Sequence, residues 1–244
     1  ILKNERHNKK LRPGNLDCNL FNITIRNLSS IKGLEEKLTA IGSKGVPNYY
    51  GSQRFGELRT ASDGVTRHSV GGNLDLACRM LEGETIRNRN KRSMAISAMR
   101  SWLFNEFVHQ RLQHMQSQHL NEKNAIPGDV LILSGSNSFF NCELPDAMIQ
   151  NRLKEQDIQL SAPLWGKGNL DSSHDALALE QSIASDFSQQ CNMLEELGLK
   201  QERRSIWLYP LKMRWQLDRD TLKLEFFLFP GCFATSILRE LINT

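Results

Sequence analysis

Two short alternating stretches near opposite ends of the chain constrain its fold more than anything between them. In NLFNITIRN, residues 19–27, Phe21, Ile23 and Ile25 fall on one side and Asn22, Thr24 and Arg26 on the other, the period of 2 of a strand with one buried face. In TLKLEFFLF, Leu222, Leu224, Phe226 and Leu228 repeat the pattern. A helical signature follows each. After the first, Ile31, Leu34, Leu38 and Ile41 form a stripe with serine at its start and Gly42 at its expected stop; after the second, PGCFATSILREL turns sharply into a final helix. Between them the chain reads as mainly helical. This predicts one α/β domain whose first and last parts share a sheet, interrupted by an insertion. At 244 residues, 39% apolar and 24% charged, the chain suits a soluble globular protein of one large or two smaller domains.

The middle begins with GVPNYYGSQRFG, residues 45–56, which has no clean period and reads as a connection. Its rings, amides and guanidinium also suit stacking on unpaired bases and reading their edges. Residues 57–72 read as a polar loop or mobile insertion. Helices are expected over 73–82 and about 92–119, the second with Ile96, Met99, Trp102, Leu103 and Phe107 as its apolar face. GDVLILSG predicts a short buried strand, LPDAMIQNRLKEQ a helix with Pro145 in its first turn, 173–197 a long helix closed by Gly198, and SIWLYPLKMRW strand-like structure. Asn19 shares the parity of Phe21, so an amide and a ring on one face offer a floor for a planar ligand.

No apolar run approaches the roughly 20 residues that span a bilayer, and the start lacks a secretion signal, so the expected location is the cytoplasm and no membrane partner is implied. The five cysteines, at 18, 78, 142, 191 and 232, are scattered and predict reduced thiols. His109, His114 and His119 recur every five residues, which does not build a metal-binding face on a helix. His174 and Asp175 read as a surface pair at a helix start. Nucleotide-binding glycine loops and zinc motifs are absent. No cofactor and no metal are therefore expected. The net charge of +4 equals that of residues 1–12 alone, and Arg87, Arg89, Lys91 and Arg92 cluster within the otherwise balanced remainder. Two dense basic clusters look like a phosphate footprint.

RHNKKLRPGNLDCNLFNITIRN, KGVPNYYGSQRFG, RNRNKRS, ALALEQ, LYP and FPGCFATSILRELINT, in this order, together resemble the TruD family of pseudouridine synthases over nearly the whole chain. The resemblance implies an α/β (α+β) fold: a pseudouridine synthase catalytic domain built around a mixed sheet, formed by residues 1–44 and 208–244, and a TruD-type insertion domain over 45–207. It implies an enzyme that isomerises one uridine of tRNA, expected at position 13, without cofactor or metal, with RNA lying between the domains. Asn19 and Phe21 match the family's N-x-F motif and Phe233 the F-A-T aromatic beside the target base, making these three the expected substrate contacts. Asn48, Gln53 and Arg54 are expected to hold the site's shape or the RNA backbone, and Arg89 and Lys91 to meet phosphate. The oligomeric state is left open.

In this family the nucleophilic aspartate belongs to a short motif upstream of the RH…KLR segment. This chain is expected to lack it, which would leave these residues alone inactive; neither Asp17 nor Asp63 matches the motif. Cys18 stands where glycine usually precedes the motif asparagine, and the polar segment near 57–70 is extra. The competing readings are a non-catalytic RNA-binding or tRNA-folding protein on the same scaffold and, far behind, a thiol enzyme using Cys232.

Overall fold

The computed structural model describes residues 17–241 apart from 61–63, 65, 70 and 137. The basic cluster of residues 1–12 and Asp63 lie outside the described residues. In chain order the elements are β1 (Asn19–Ile25), α1 (Leu34–Lys44), β2 (Val46–Pro47), α2 (Ser52–Phe55), β3 (Leu58–Thr60), β4 (Thr66–His68), α3 (Asn73–Leu81), α4 (Arg89–Ser117), β5 (Asp129–Leu133) and β6 (Phe139–Cys142). They continue with α5 (Ala147–Lys154), β7 (Ile158–Leu164), α6 (His174–Asp186), α7 (Ser188–Glu196), β8 (Glu202–Ser205), β9 (Trp207–Leu208), β10 (Leu211–Asp218), β11 (Thr221–Leu228) and α8 (Ala234–Leu241). The chain divides into two compact units, one built from the part up to Gly45 and the part from Tyr209 onward, the other from Val46–Leu208.

In the first unit the strand order is β1-β11-β10, antiparallel throughout the described residues. The central strand β11 carries Leu222, Leu224, Phe226 and Leu228, each at most 2% exposed. Their period of 2 therefore buries one face continuously. The apolar stripe of α1, Leu34, Leu38 and Ile41, packs against α8, which buries Ile237 and Leu241. Helix α1 runs three residues past its expected stop. Gly42 stays helical with Met213 Sδ 3.8 Å from where a Cβ would stand, and Gly45, at φ 67°, ends the helix instead. Ile31 lies before the helix and is exposed.

The second unit is less helical than its sequence suggests. Strands β6-β5-β7-β8 form a four-stranded antiparallel sheet, against which the long helix α4 packs through β7. Phe104, Phe107, Met99, Leu103, Leu131, Ile158 and Leu160 fill the core at 1% exposure or less. Strand β7, in IQLSAPL, is buried on both faces, so it shows no alternation to read. Residues 57–72 are not a simple loop: they contain the paired strands β3 and β4. Asp146, not Pro145, begins α5, its carboxylate accepting from Ile149 N at 2.8 Å. The helix expected over 173–197 is two helices, broken at Phe187, whose ring meets Trp102 edge-on at 5.2 Å.

Two buried ion pairs tie these layers together. Arg111 of α4 donates to both carboxylate oxygens of Asp129 in β5, at 2.6 and 2.7 Å. Arg203 of β8 donates to Glu180 of α6 at 2.8 and 3.0 Å and to the Ser161 carbonyl at 3.0 Å. Such fork-to-carboxylate geometry fixes orientation as well as contributing energy.

Candidate functional site

In the first unit, β1 and β11 run in register from Asn19↔Leu228 to Ile25↔Leu222. Phe21 therefore stands opposite Phe226, and their rings stack at 5.6 Å with planes 22° apart. Phe226 is fully buried and Phe21 half-buried, so Phe21 closes the core and still borders the surface. Asn19 has the same parity but sits at the open end of the ladder, exposed. Its amide offers both a donor and an acceptor.

The path from β11 to α8 starts at that end of the sheet. After Leu228 the chain turns through Phe229–Cys232, with Gly231 at φ 84° and Cys232 N donating to the Phe229 carbonyl at 3.2 Å. Phe233 follows, half-buried, its carbonyl accepting from Ser236 N at 3.1 Å in the first turn of α8. Asn19 pairs with Leu228, the last residue of β11, and Phe233 follows Leu228 by five positions in the chain.

The aromatic and amide stretch belongs to the second unit and is turned largely inward. Asn48 is 2% exposed. Its Nδ2 donates to the Ser205 carbonyl at 2.9 Å, its Oδ1 accepts from Arg204 at 2.8 Å, and its backbone N–H donates to the Ile206 carbonyl at 2.8 Å. Beside it, Val46 pairs with Leu208 and Pro47 with Trp207. Tyr50 exchanges two 2.9 Å hydrogen bonds between its backbone and the Asn105 side chain. The Arg204 guanidinium lies 4.3 Å from the Tyr50 ring centre and 5.4 Å from that of Phe104, within cation–π range. Arg54, half-buried, donates to Ser97 Oγ at 3.0 Å, while Gln53 is exposed on α2. Arg204 and Asn105 went unnoticed in the sequence because their partners are far along the chain and neither belongs to a motif.

Helix α4 begins at Arg89, three residues before its expected start, with Asn88 Oδ1 accepting from Lys91 N at 3.0 Å as its N-cap. Arg87, Arg89, Lys91 and Arg92 are all exposed around this terminus. Positive side chains are disfavoured at a helix N-terminus, where backbone N–H groups already attract anions. The arrangement suits phosphate binding better than helix stability.

Burial, then Glu195, pushes the Cys191 thiol up to about 12; burial also raises Cys142, and burial with Asp75 and Glu82 raises the exposed Cys78. Burial likewise raises the Tyr209 phenol to about 12. Among the described residues no group of three His, Cys, Asp or Glu side chains could hold a metal ion, and no helix is long and apolar enough to cross a membrane.

The family profile described as tRNA pseudouridine synthase D (TruD) matches residues 1–94 and 88–241. The chain belongs to the TruD family. Proteins named tRNA pseudouridine synthase D from Pseudoalteromonas atlantica, Aeromonas salmonicida and Shewanella oneidensis are 45%, 42% and 42% identical over all of this chain. It spans 66%, 64% and 61% of their respective lengths. A crystal structure assigned as a TruD protein of Methanosarcina mazei superposes with a TM-score of 0.60 at 19% identity, covering 95% of this chain and 70% of that one. The α/β architecture of helices and antiparallel sheets is thus the TruD fold.

Proposed function

We propose that the protein isomerises a uridine of tRNA, at position 13, to pseudouridine. On this reading the first unit belongs to the catalytic domain and Val46–Leu208 is the TruD insertion. The observation that carries it is the register that sets exposed Asn19 opposite Leu228 and half-buried Phe21 against Phe226, at the end of β11 from which the chain runs on to half-buried Phe233. The similarity to the tRNA pseudouridine synthase D relatives supports it.

The reaction breaks the C1′–N1 glycosidic bond and forms C1′–C5; a proton leaves C5 and one arrives at N1. Substrate and product are isomers, so no electrons are exchanged and no redox cofactor is called for. The site must hold an extruded uracil, replacing the few kcal/mol of stacking lost on flipping. Phe21 and Phe233 supply ring surface, and the Asn19 amide can both donate to and accept from the uracil edge. The attacking carboxylate is assigned to no residue of this chain.

The test follows pseudouridine formation in unmodified tRNA by chemical mapping, alongside tRNA affinity. Asn19→Ala and Phe233→Ala should each slow isomerisation at least about tenfold, a barrier increase of about 1.4 kcal/mol, with affinity nearly unchanged. In the intact protein, tight tRNA binding with no pseudouridine formed would leave a non-catalytic RNA-binding protein instead.

A further inference from the structure

On the first unit's sheet, the face opposite the buried Leu222, Leu224, Phe226 and Leu228 is not uniformly polar. Register sets Leu20 opposite Phe227 and Phe227 opposite Leu211, so one apolar row crosses all three strands. Leu20 is 50% exposed, and Phe227 and Leu211 are half-buried. The next rows, Asn22↔Glu225↔Arg214 and Thr24↔Lys223↔Gln216, are polar, as a solvated face of an antiparallel sheet should be. The apolar row therefore departs from the pattern of its own face.

Beside that row β10 is bulged. Its register slips by one residue between Leu211 and Arg214, and Lys212 there adopts φ 51°, the left-handed conformation that such bulges usually give to glycine. A lysine in that place strains the backbone, and residues held so are found at ligand clamps more often than elsewhere. The Lys212 ammonium lies 5.9 Å from the Phe227 ring centre, at the edge of cation–π range. Among the described residues neither Lys212 nor Lys223 forms an ion pair with a carboxylate. Of the acids on these strands, Glu225 stands opposite Arg214 and Asp218 at the hairpin end, opposite Thr221. An ammonium beside a ring complements a nucleotide, whose base can stack while its phosphate meets the charge.

We propose that this face seats an unpaired nucleotide of tRNA, its base on Phe227 beside Leu20 and its phosphate held by Lys212 and Lys223, a contact that rests on the tRNA reading above. The row lies one register step from Asn19↔Leu228, so RNA held at Asn19 brings flanking nucleotides to it. The test uses the intact protein and unmodified tRNA. Lys212→Gly, which suits the bulge, should hold or raise Tm while tRNA binds about threefold more weakly at moderate salt. Its log affinity against log salt should be shallower by roughly 0.7–0.9, the value of one phosphate contact. Lys212→Arg should keep the slope. Phe227→Leu should weaken binding at least about fivefold through lost stacking and leave the slope nearly unchanged.

Lysine acetylation provides a mutation-free readout, because tRNA seated on this face should slow labelling of Lys212 and Lys223 several-fold in the wild-type protein. An unchanged salt slope in the glycine variant, whatever its Tm, overturns the nucleotide seat and leaves a bulge and a lysine that only guard a sheet edge; so does labelling of both lysines unaffected by tRNA. The two proposals fail separately. Pseudouridine formation with slope and labelling unchanged removes the nucleotide seat alone, and a reduced slope with protected lysines but no pseudouridine removes the enzymatic reading alone.

Discussion

At the scale of single residues, Asn48 shows how a polar side chain becomes a fastening. Both ends of its amide are engaged with Ser205 and Arg204, inside a region 2% open to water. Asn48→Ala would leave a carbonyl and a guanidinium short of a partner, so urea unfolding should show a loss of about 1–3 kcal/mol. Cys191 gives a pH prediction. Folded, its thiol titrates at about 12 against an ordinary 9.0, so between those values the native state keeps a proton that the unfolded chain has released. Stability is unaffected below pH 9 and falls above it, by up to about 1.4 kcal/mol per pH unit. Cys191→Ala should flatten that alkaline decline in urea midpoints. The parity of Asn19 and Phe21 was readable from NLFNITI alone, as was the unusual mixture around Asn48. The inward orientation of Asn48 was not, because its Arg204 partner is remote in sequence.

Among the elements, α4 sets a cluster of exposed positive charge against the stability of its own N-terminus. Replacing Arg89 and Lys91 with glutamate should stabilise the helix terminus by roughly 0.3–1 kcal/mol per site and raise Tm, while tRNA affinity and its salt slope fall. A fall in both Tm and affinity would make the cluster structural instead. Gly128 marks a second constrained position. At φ 83° it donates to the Cys142 carbonyl at 2.8 Å and accepts from Ser173 N at 3.0 Å, and an added Cβ would stand 1.7 Å from the Ser173 carbonyl oxygen. Strands β1 and β11 and most of α4 were legible because each buries a single face and so carries a clean period. Strand β7 was hidden by burial on both faces, and the break at Phe187 by the lack of any glycine or proline there. Its aromatic contact with Trp102 comes from another helix.

For the molecule as a whole, the interrupted order of its units is the leading feature. The Val46↔Leu208 and Pro47↔Trp207 pairs, with Asn48 behind them, hold together the two places where the chain enters and leaves the second unit. That unit has its own sheet, core and buried ion pairs, so residues 46–208 expressed alone should unfold cooperatively in urea with a native-like circular dichroism spectrum. Joined ends also bear on the order of events during folding. While the second unit is unfolded, β1 and β11 can pair only by closing a loop of about 196 intervening residues, between Ile25 and Leu222; once β2 and β9 are zipped, that detour shrinks to about 33, residues 26–45 and 209–221. With closure entropy growing as about (3/2)RT ln n, the shortcut is worth about 1.6 kcal/mol. The ribbon β2–β9 thus acts as a kinetic splice, and the first unit's sheet, though its leading strand is the earlier in the chain, should be the later to assemble.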